Sequence, residues 1–170
     1  MLIQEGKLHA SIDGISLEGF SEPVSVGILR ETRCLGVPQH SGIYLVLRIS
    51  DYPPKFLVKS TGGAFKRKDP TCPAEFVFEN WIEGANVVYI GKAAGRGGLR
   101  RRLDDLISFG YGEAVGHWGG RLLWHLAGKE ELLVRWRTYP MDEADNAETS
   151  AIATFKSIYG GRRPYANLAK

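Results

Sequence analysis

Two kinds of side chain in this sequence sit where ordinary folding would not place them. The first is Glu148. Ala144, Ala151, Phe155, Ile158 and Tyr159 recur at helical spacing as one apolar stripe, and Glu148 projects onto its middle. A carboxylate on a buried face costs free energy unless a cation, a metal ion or hydrogen-bond donors meet it. The same placement also suits a glutamate that reaches water from the stripe's edge, or one paired with an arginine for stability. The second is the run Arg100-Arg101-Arg102. Leu99, Leu103, Leu106 and Ile107 fall within about 100° of one another on a helical wheel. Arg101 then points opposite, into water, whereas Arg100 and Arg102 border the stripe. A guanidinium at such a border can aim its planar fork at a phosphate; with Asp104 and Asp105 nearby it can equally belong to a solvated face. Just ahead, Gly95-Arg96-Gly97-Gly98 is a turn of the kind that can cradle phosphate at a helix N-terminus. It lacks the Lys-Ser/Thr ending of a nucleotide-binding loop, and such a turn is often only a turn.

The whole chain sets the scale for these groups. It has 170 residues and 18.8 kDa, 44% hydrophobic and 24% charged, which is one globular domain with a sizeable core and excludes a disordered chain. The net charge is only +3. The basic excess lies in residues 51–110, with 10 basic against 7 acidic side chains, in two clusters: Lys66-Arg67-Lys68, and Arg96 with the arginine run. On charge alone these read as solvated patches; a polyanion can also be met there. Cys34 and Cys72 stand far apart with no histidine at metal spacing. That argues against a zinc site or a disulfide framework and suits a cytoplasmic protein with reduced thiols. No basic leader with an apolar run opens the chain, and no segment approaches the ~18 apolar residues of a membrane span.

Glycine and proline divide the sequence into the elements that must position these groups. Residues 1–40 read as an N-terminal extension packing on the core. Residues 42–49 (GIYLVLRI) read as a buried strand, ended by Pro53-Pro54. Residues 51–84 read as an inserted, turn-rich surface excursion carrying Lys66, Arg67 and Lys68. Residues 87–90 (VVYI) are a second strand, closed by Gly91. A helix begins near Leu99, and residues 117–127 suggest another despite Gly119-Gly120. Residues 132–137 alternate, with Leu132, Val134 and Trp136 inward. A last helix, capped by Asp142, runs to Tyr159 and stops at Gly160-Gly161. The expectation is an α+β domain over 41–170, with a central three-stranded, mainly antiparallel sheet flanked by helices.

Gly42-Ile43-Tyr44 on the first strand and Tyr89-Ile90-Gly91 on the second are, in this order, the motif that gives the GIY-YIG nuclease family its name. The resemblance extends over about 42–167. Tyr89-Ile90-Gly91-Lys92-Ala93 resembles the same segment of the incision subunit of bacterial nucleotide excision repair. Leu99-Arg100-Arg101-Arg102-Leu103 is similar to the family's Leu-x-x-Arg-Leu helix start and places its essential arginine on Arg102. Glu148 falls at the family's metal-binding glutamate, and Pro164-Tyr165-Ala166-Asn167 resembles its terminal Pro-x-x-Asn. The chain departs from the family in several respects, among them a longer loop between Gly91 and Arg102 than in the repair subunit. Its two motif tyrosines are separated by a long insertion, which reads as a DNA-facing elaboration or as decoration. Leu106 stands where many members carry a histidine or tyrosine, so His117 is either a replacement or a structural histidine.

The resemblance implies a Mg²⁺-dependent endonuclease (Mn²⁺ is an alternative) acting on double-stranded or branched DNA, in repair or restriction, as a monomer or homodimer. Glu148 would hold the single metal ion, Arg102 would clamp the scissile phosphate and Asn167 would fix the geometry. Tyr44 is the expected general base, with Tyr89 the competing choice. Either starts from a pKa of ~10, so work at neutral pH asks for a shift of ~3 units, about 4 kcal/mol. Lys92 and the metal ion are the expected sources of that shift. Lys66, Arg67, Lys68, Arg96, Arg100 and Trp118 are the expected nucleic-acid contacts. The alternatives are a catalytically inactive nucleic-acid-binding module or a dimeric restriction-type enzyme.

Overall fold

The computed structural model describes residues 11–168. At its centre lies β4 (Gly42–Leu47), buried along its whole length. Its continuous apolar run is explained by what covers it: layers pack on both faces, so alternation with polar residues would bury polar groups. β5 (Val87–Ala93) and β6 (Leu133–Thr138) pair antiparallel on either side of β4. Gly42 lies opposite Thr138, where a Cβ would stand 2.2 Å from the Arg137 carbonyl oxygen.

The three strands read from the sequence are therefore the core of the sheet, and the chain is α+β as expected. A fourth strand was not expected. β3 (Val24–Ser25) pairs with the outer edge of β6, giving the order β3-β6-β4-β5. It is followed by α1 (Val26–Glu31), with Ser25 capping the helix by accepting from the Ile28 amide. The preceding hairpin, β1 (Ser11–Ile12) with β2 (Ile15–Ser16), forms its own two-stranded sheet. The N-terminal extension thus contributes a strand to the sheet rather than only covering it; residues 1–10 lie outside the described residues.

The two faces of the sheet bury different partners. Tyr44, Val46 and Tyr89 face α3 (Gly98–Gly110) and α1, whereas Ile43, Leu45 and Ile90 face α4 (Ala144–Ile158) and the β1–β2 hairpin. α4 begins at Ala144 with Glu143 in the capping position and no side-chain cap, not at a cap on Asp142. Its buried stripe is Ala144, Ala151, Ile152 and Phe155; Ile158, expected on that stripe, is 56% exposed. Residues 117–127 form only a 3₁₀ turn at Arg121–His125. Gly119-Gly120 favours no helix, and the Gly120 backbone instead packs on Tyr89 and Leu106.

The 51–84 insertion is more ordered than its composition suggests. It contains α2 (Ala74–Asn80) and is tied down by the buried His125. That ring faces the Leu57 carbonyl through Nδ1 at 2.9 Å and accepts from the Cys72 amide through Nε2 at 3.0 Å. At its tip, Phe65 and Lys68 bridge across a tight turn in which Lys66 and Arg67 both take positive φ. Among the described residues no helix is long and apolar enough to cross a membrane.

Candidate active site

Strand alternation decides which side chains meet. Tyr44 lies opposite Gly91 across the β4–β5 ladder. A Cβ at residue 91 would stand 2.3 Å from the Tyr44 ring, so the glycine lets that ring lie flat over β5 toward Tyr89, with centroids 6.0 Å apart. The Tyr44 hydroxyl is 3.3 Å from His117 Nε2 and also meets Arg102 and the hydroxyl of Tyr89.

A cleft of about 510 Å³ opens at the outer edge of β5, between α3 and α4. Tyr89, Lys92, Arg102, Glu148 and Asn167 all line it, with Arg96, Arg101 and Asp105. The sheet brings Arg102 from the layer on one face and Glu148 from the layer on the other, around the β5 edge. Glu148 is half-buried, on the wall of this cavity.

Tyr44 does not line this cleft. It is 0% exposed, and burial raises its hydroxyl well above the usual tyrosine value, with Tyr89 adding to the rise and Arg102 opposing it. Tyr89, the competing choice of base, does reach the cleft. Burial raises its pKa, Arg102 and the Tyr44 hydroxyl pull it back, and the negative charge of Glu148 raises it again.

Lys92 plays a different part from the one expected. It lies opposite Ile43, so alternation sends it to the α4 face, away from the tyrosines, where it pairs with Asp145. The positive charge acting on both hydroxyls is Arg102. Asp145 had a signal the sequence reading passed over: it stands three residues before Glu148, on the same helical face. Arg101, expected in open water, is exposed but stands at the cleft rim within 3.9 Å of Asp105.

Asn167 is built into the sheet. β5 is an edge strand, and the C-terminal segment covers its edge. Ala166 N–H donates to the Val88 carbonyl. The Asn167 side chain then accepts from Ile90 N–H at 2.9 Å and donates to the Ile90 carbonyl at 2.8 Å. One amide thus imitates a paired strand residue beside Tyr89.

His117 is 1% exposed. Burial, reinforced by the Arg102 charge, pushes its pKa down to about 3, so the ring is neutral. Its Nδ1 has no hydrogen-bond partner. The Gly95–Gly98 turn lines the cleft, but the helix that follows it offers no free N-terminal amides to an anion. Gly97 and Gly98 take positive φ, and the first helical amides are already spent: Leu99 N–H donates to the His40 carbonyl and Arg100 N–H to that of Pro38. Arg100 itself turns away from the cleft and donates from Nε to the Val37 carbonyl at 2.8 Å.

Trp118 packs on Phe65 and Phe109 with Arg121 over its ring. Lys66, Arg67 and Lys68 are exposed and do not line the cleft.

The donor set bears on metal binding. Among the described residues no three of His, Cys, Asp and Glu come together, so a site built from several carboxylates does not fit. With Asp105 turned to Arg101, Glu148 as the main hard oxygen donor in a roomy cleft fits a divalent ion that keeps most of its waters. Compared with models of protein families, with curated proteins and with solved structures, the chain matches none.

Proposed function

We propose that this chain is a divalent-cation-dependent phosphodiesterase of the GIY-YIG type that cuts DNA. The observation that supports the reading is the convergence of Arg102, Glu148 and Tyr89 on one cleft from three different elements. Each is the residue on which the resemblance places a role, and the rest of the motif residues hold these three in place.

Phosphodiester hydrolysis needs charge neutralisation on the phosphate, an activated water and help for the leaving oxygen. Arg102 supplies a fixed, always-charged fork to the phosphate. Glu148 is the residue that would hold the ion, Mg²⁺ or Mn²⁺. Once bound, such an ion supplies Lewis-acid stabilisation and a more acidic water. Tyr89 is the candidate base: its Oη would take the proton of the attacking water only as the phenolate, which Arg102 and the Tyr44 hydroxyl favour and which burial and the Glu148 charge disfavour, so the free site holds Tyr89 as the neutral phenol. Tyr44 and His117 form the buried polar backing that holds Arg102 and the Tyr89 hydroxyl, and Asn167 holds the backbone beside Tyr89.

The test is plasmid and labelled-duplex cleavage with Mg²⁺, then with EDTA. Cleavage is expected to stop on chelation and to fall ~10²–10³-fold in Arg102→Lys, which keeps the charge but loses the fork. Glu148→Gln is expected to abolish the Mg²⁺-dependent cleavage. DNA left uncut yet bound by both wild type and Glu148→Gln would make the chain an inactive binding module. Discrete fragments together with a dimer in solution would favour a restriction-type enzyme.

A further inference from the structure

A second groove continues from the cleft. It has a volume of about 310 Å³ and shares Asn167 and Leu168 with the cleft, so the two meet across the C-terminal segment that covers the β5 edge. Arg162 and Arg163 line it from the turn after α4, and Phe76 lines it from α2, the helix carried by the insertion. Glu79 is the single acid on its rim.

Three features of this groove are unusual for plain surface. α2 buries only Val77, so Phe76, 37% exposed, turns a large part of its ring to solvent. Arg162 spends one nitrogen on the carbonyls of Glu79 and Trp81, which fixes its guanidinium against the end of α2 and leaves other donors pointing outward. Arg163 enters none of the ion pairs formed among the described residues. An aromatic face beside two guanidiniums, one of them held in place, is the pairing that holds single-stranded nucleic acid, with bases stacked on the ring and phosphates on the charges. A closed duplex hides the faces of its bases in its own stack and cannot use the ring.

We propose that this groove binds an unpaired DNA strand leaving the cleft, so that the preferred substrate carries a single-stranded arm next to the cut. This rests on the phosphodiesterase reading of the cleft and names its substrate class.

The experiment measures binding of labelled oligodeoxythymidylate to the full chain, and cleavage of a duplex with and without a single-stranded arm. The proteins compared are wild type, Phe76→Leu and Arg163→Ala, each with its thermal midpoint recorded. Phe76→Leu is expected to weaken strand binding roughly 5- to 150-fold while leaving closed-duplex binding unchanged. Arg163→Ala is expected to lower the salt slope of strand binding by about 1. Both should remove any preference for the armed substrate. Wild-type affinity for the oligonucleotide in both variants, or no strand binding by wild type, overturns the groove. If wild type cuts nothing with Mg²⁺ while Phe76→Leu still costs strand affinity, the phosphodiesterase reading falls and the groove stands.

Discussion

Replacing Asn167 with alanine removes two hydrogen bonds at once, of 2.9 and 2.8 Å, from the backbone of a single residue, Ile90. Ile90 is buried, and β5 has no further strand on that side. Its N–H and C=O then lose their only protein partner across the edge. At about 0.5–1.5 kcal/mol net per bond, the loss is about 1–3 kcal/mol. For a chain of this size that corresponds to a fall in Tm of roughly 2–12 °C. Asn167→Asp separates the two contributions: the carboxylate still accepts from Ile90 N–H but cannot donate to the carbonyl and faces it with negative charge. The expected order of stability is wild type, then aspartate, then alanine or a close tie between the last two. Thermal and urea unfolding give the totals, and native-state hydrogen exchange gives the location. The Ile90 amide should exchange ~10-fold faster for each 1.4 kcal/mol lost locally. DNA cleavage should fall along with this local loosening, since Tyr89 and Gly91 flank the capped residue. An Asn167→Ala protein with unchanged unfolding and unchanged Ile90 exchange would refute the edge-cap reasoning. If activity were lost in that protein, Asn167 would instead act on the substrate directly.

Two further outcomes follow from the same geometry. Gly91→Ala sets a methyl carbon 2.3 Å from the ring of fully buried Tyr44; the overpacking should cost about 1–3 kcal/mol in urea unfolding and alter the near-UV tyrosine signal. His117 stays neutral in the folded chain down to about pH 3, whereas in the unfolded chain its imidazole titrates near 6.5. Between these values the unfolded state binds more protons, so stability falls as pH drops, by about 2 kcal/mol at pH 5. His117→Gln should flatten that part of the stability–pH curve, and an unchanged slope would count against the burial argument.

What makes the site a site is the edge of one strand. β5 is paired on one side only, and three different parts of the chain converge on its open side: the first turns of α3, the middle of α4 and the C-terminal segment. An interior strand would have been paired on both sides and left no room for a cleft. The same arrangement explains why the helix N-terminus of α3 is not a phosphate site. The backbone of residues 38–40, leading into β4, fills that position with its own carbonyls.

Several parts of this molecule are legible in the chain without its fold. Continuous apolar runs at 42–47 and 87–90, short, rich in β-branched residues and bounded by glycine or proline, read as strands covered on both faces. The leucine spacing after Gly98 sets both the buried face of α3 and the half-buried border on which Arg102 sits. The clash between Glu148 and its stripe marks the cleft wall, because a carboxylate among apolar neighbours needs a reason to be there. Long-range pairing decided the rest. Whether Tyr44 or Tyr89 reaches the cleft depends on which strand is the edge of the sheet, β5 and not the interior β4, and nothing local to either tyrosine differs enough to say. Lys92 follows Gly91 directly, yet alternation in β5 turns it to Asp145 on the opposite face. β3 and α2 are too short to show a period of their own; each exists because a neighbour, β6 or the His125 anchor, supplies the hydrogen bonds and contacts that so few residues cannot supply for themselves. Periodicity records which face of an element is buried, and only the tertiary structure decides what that face is buried against.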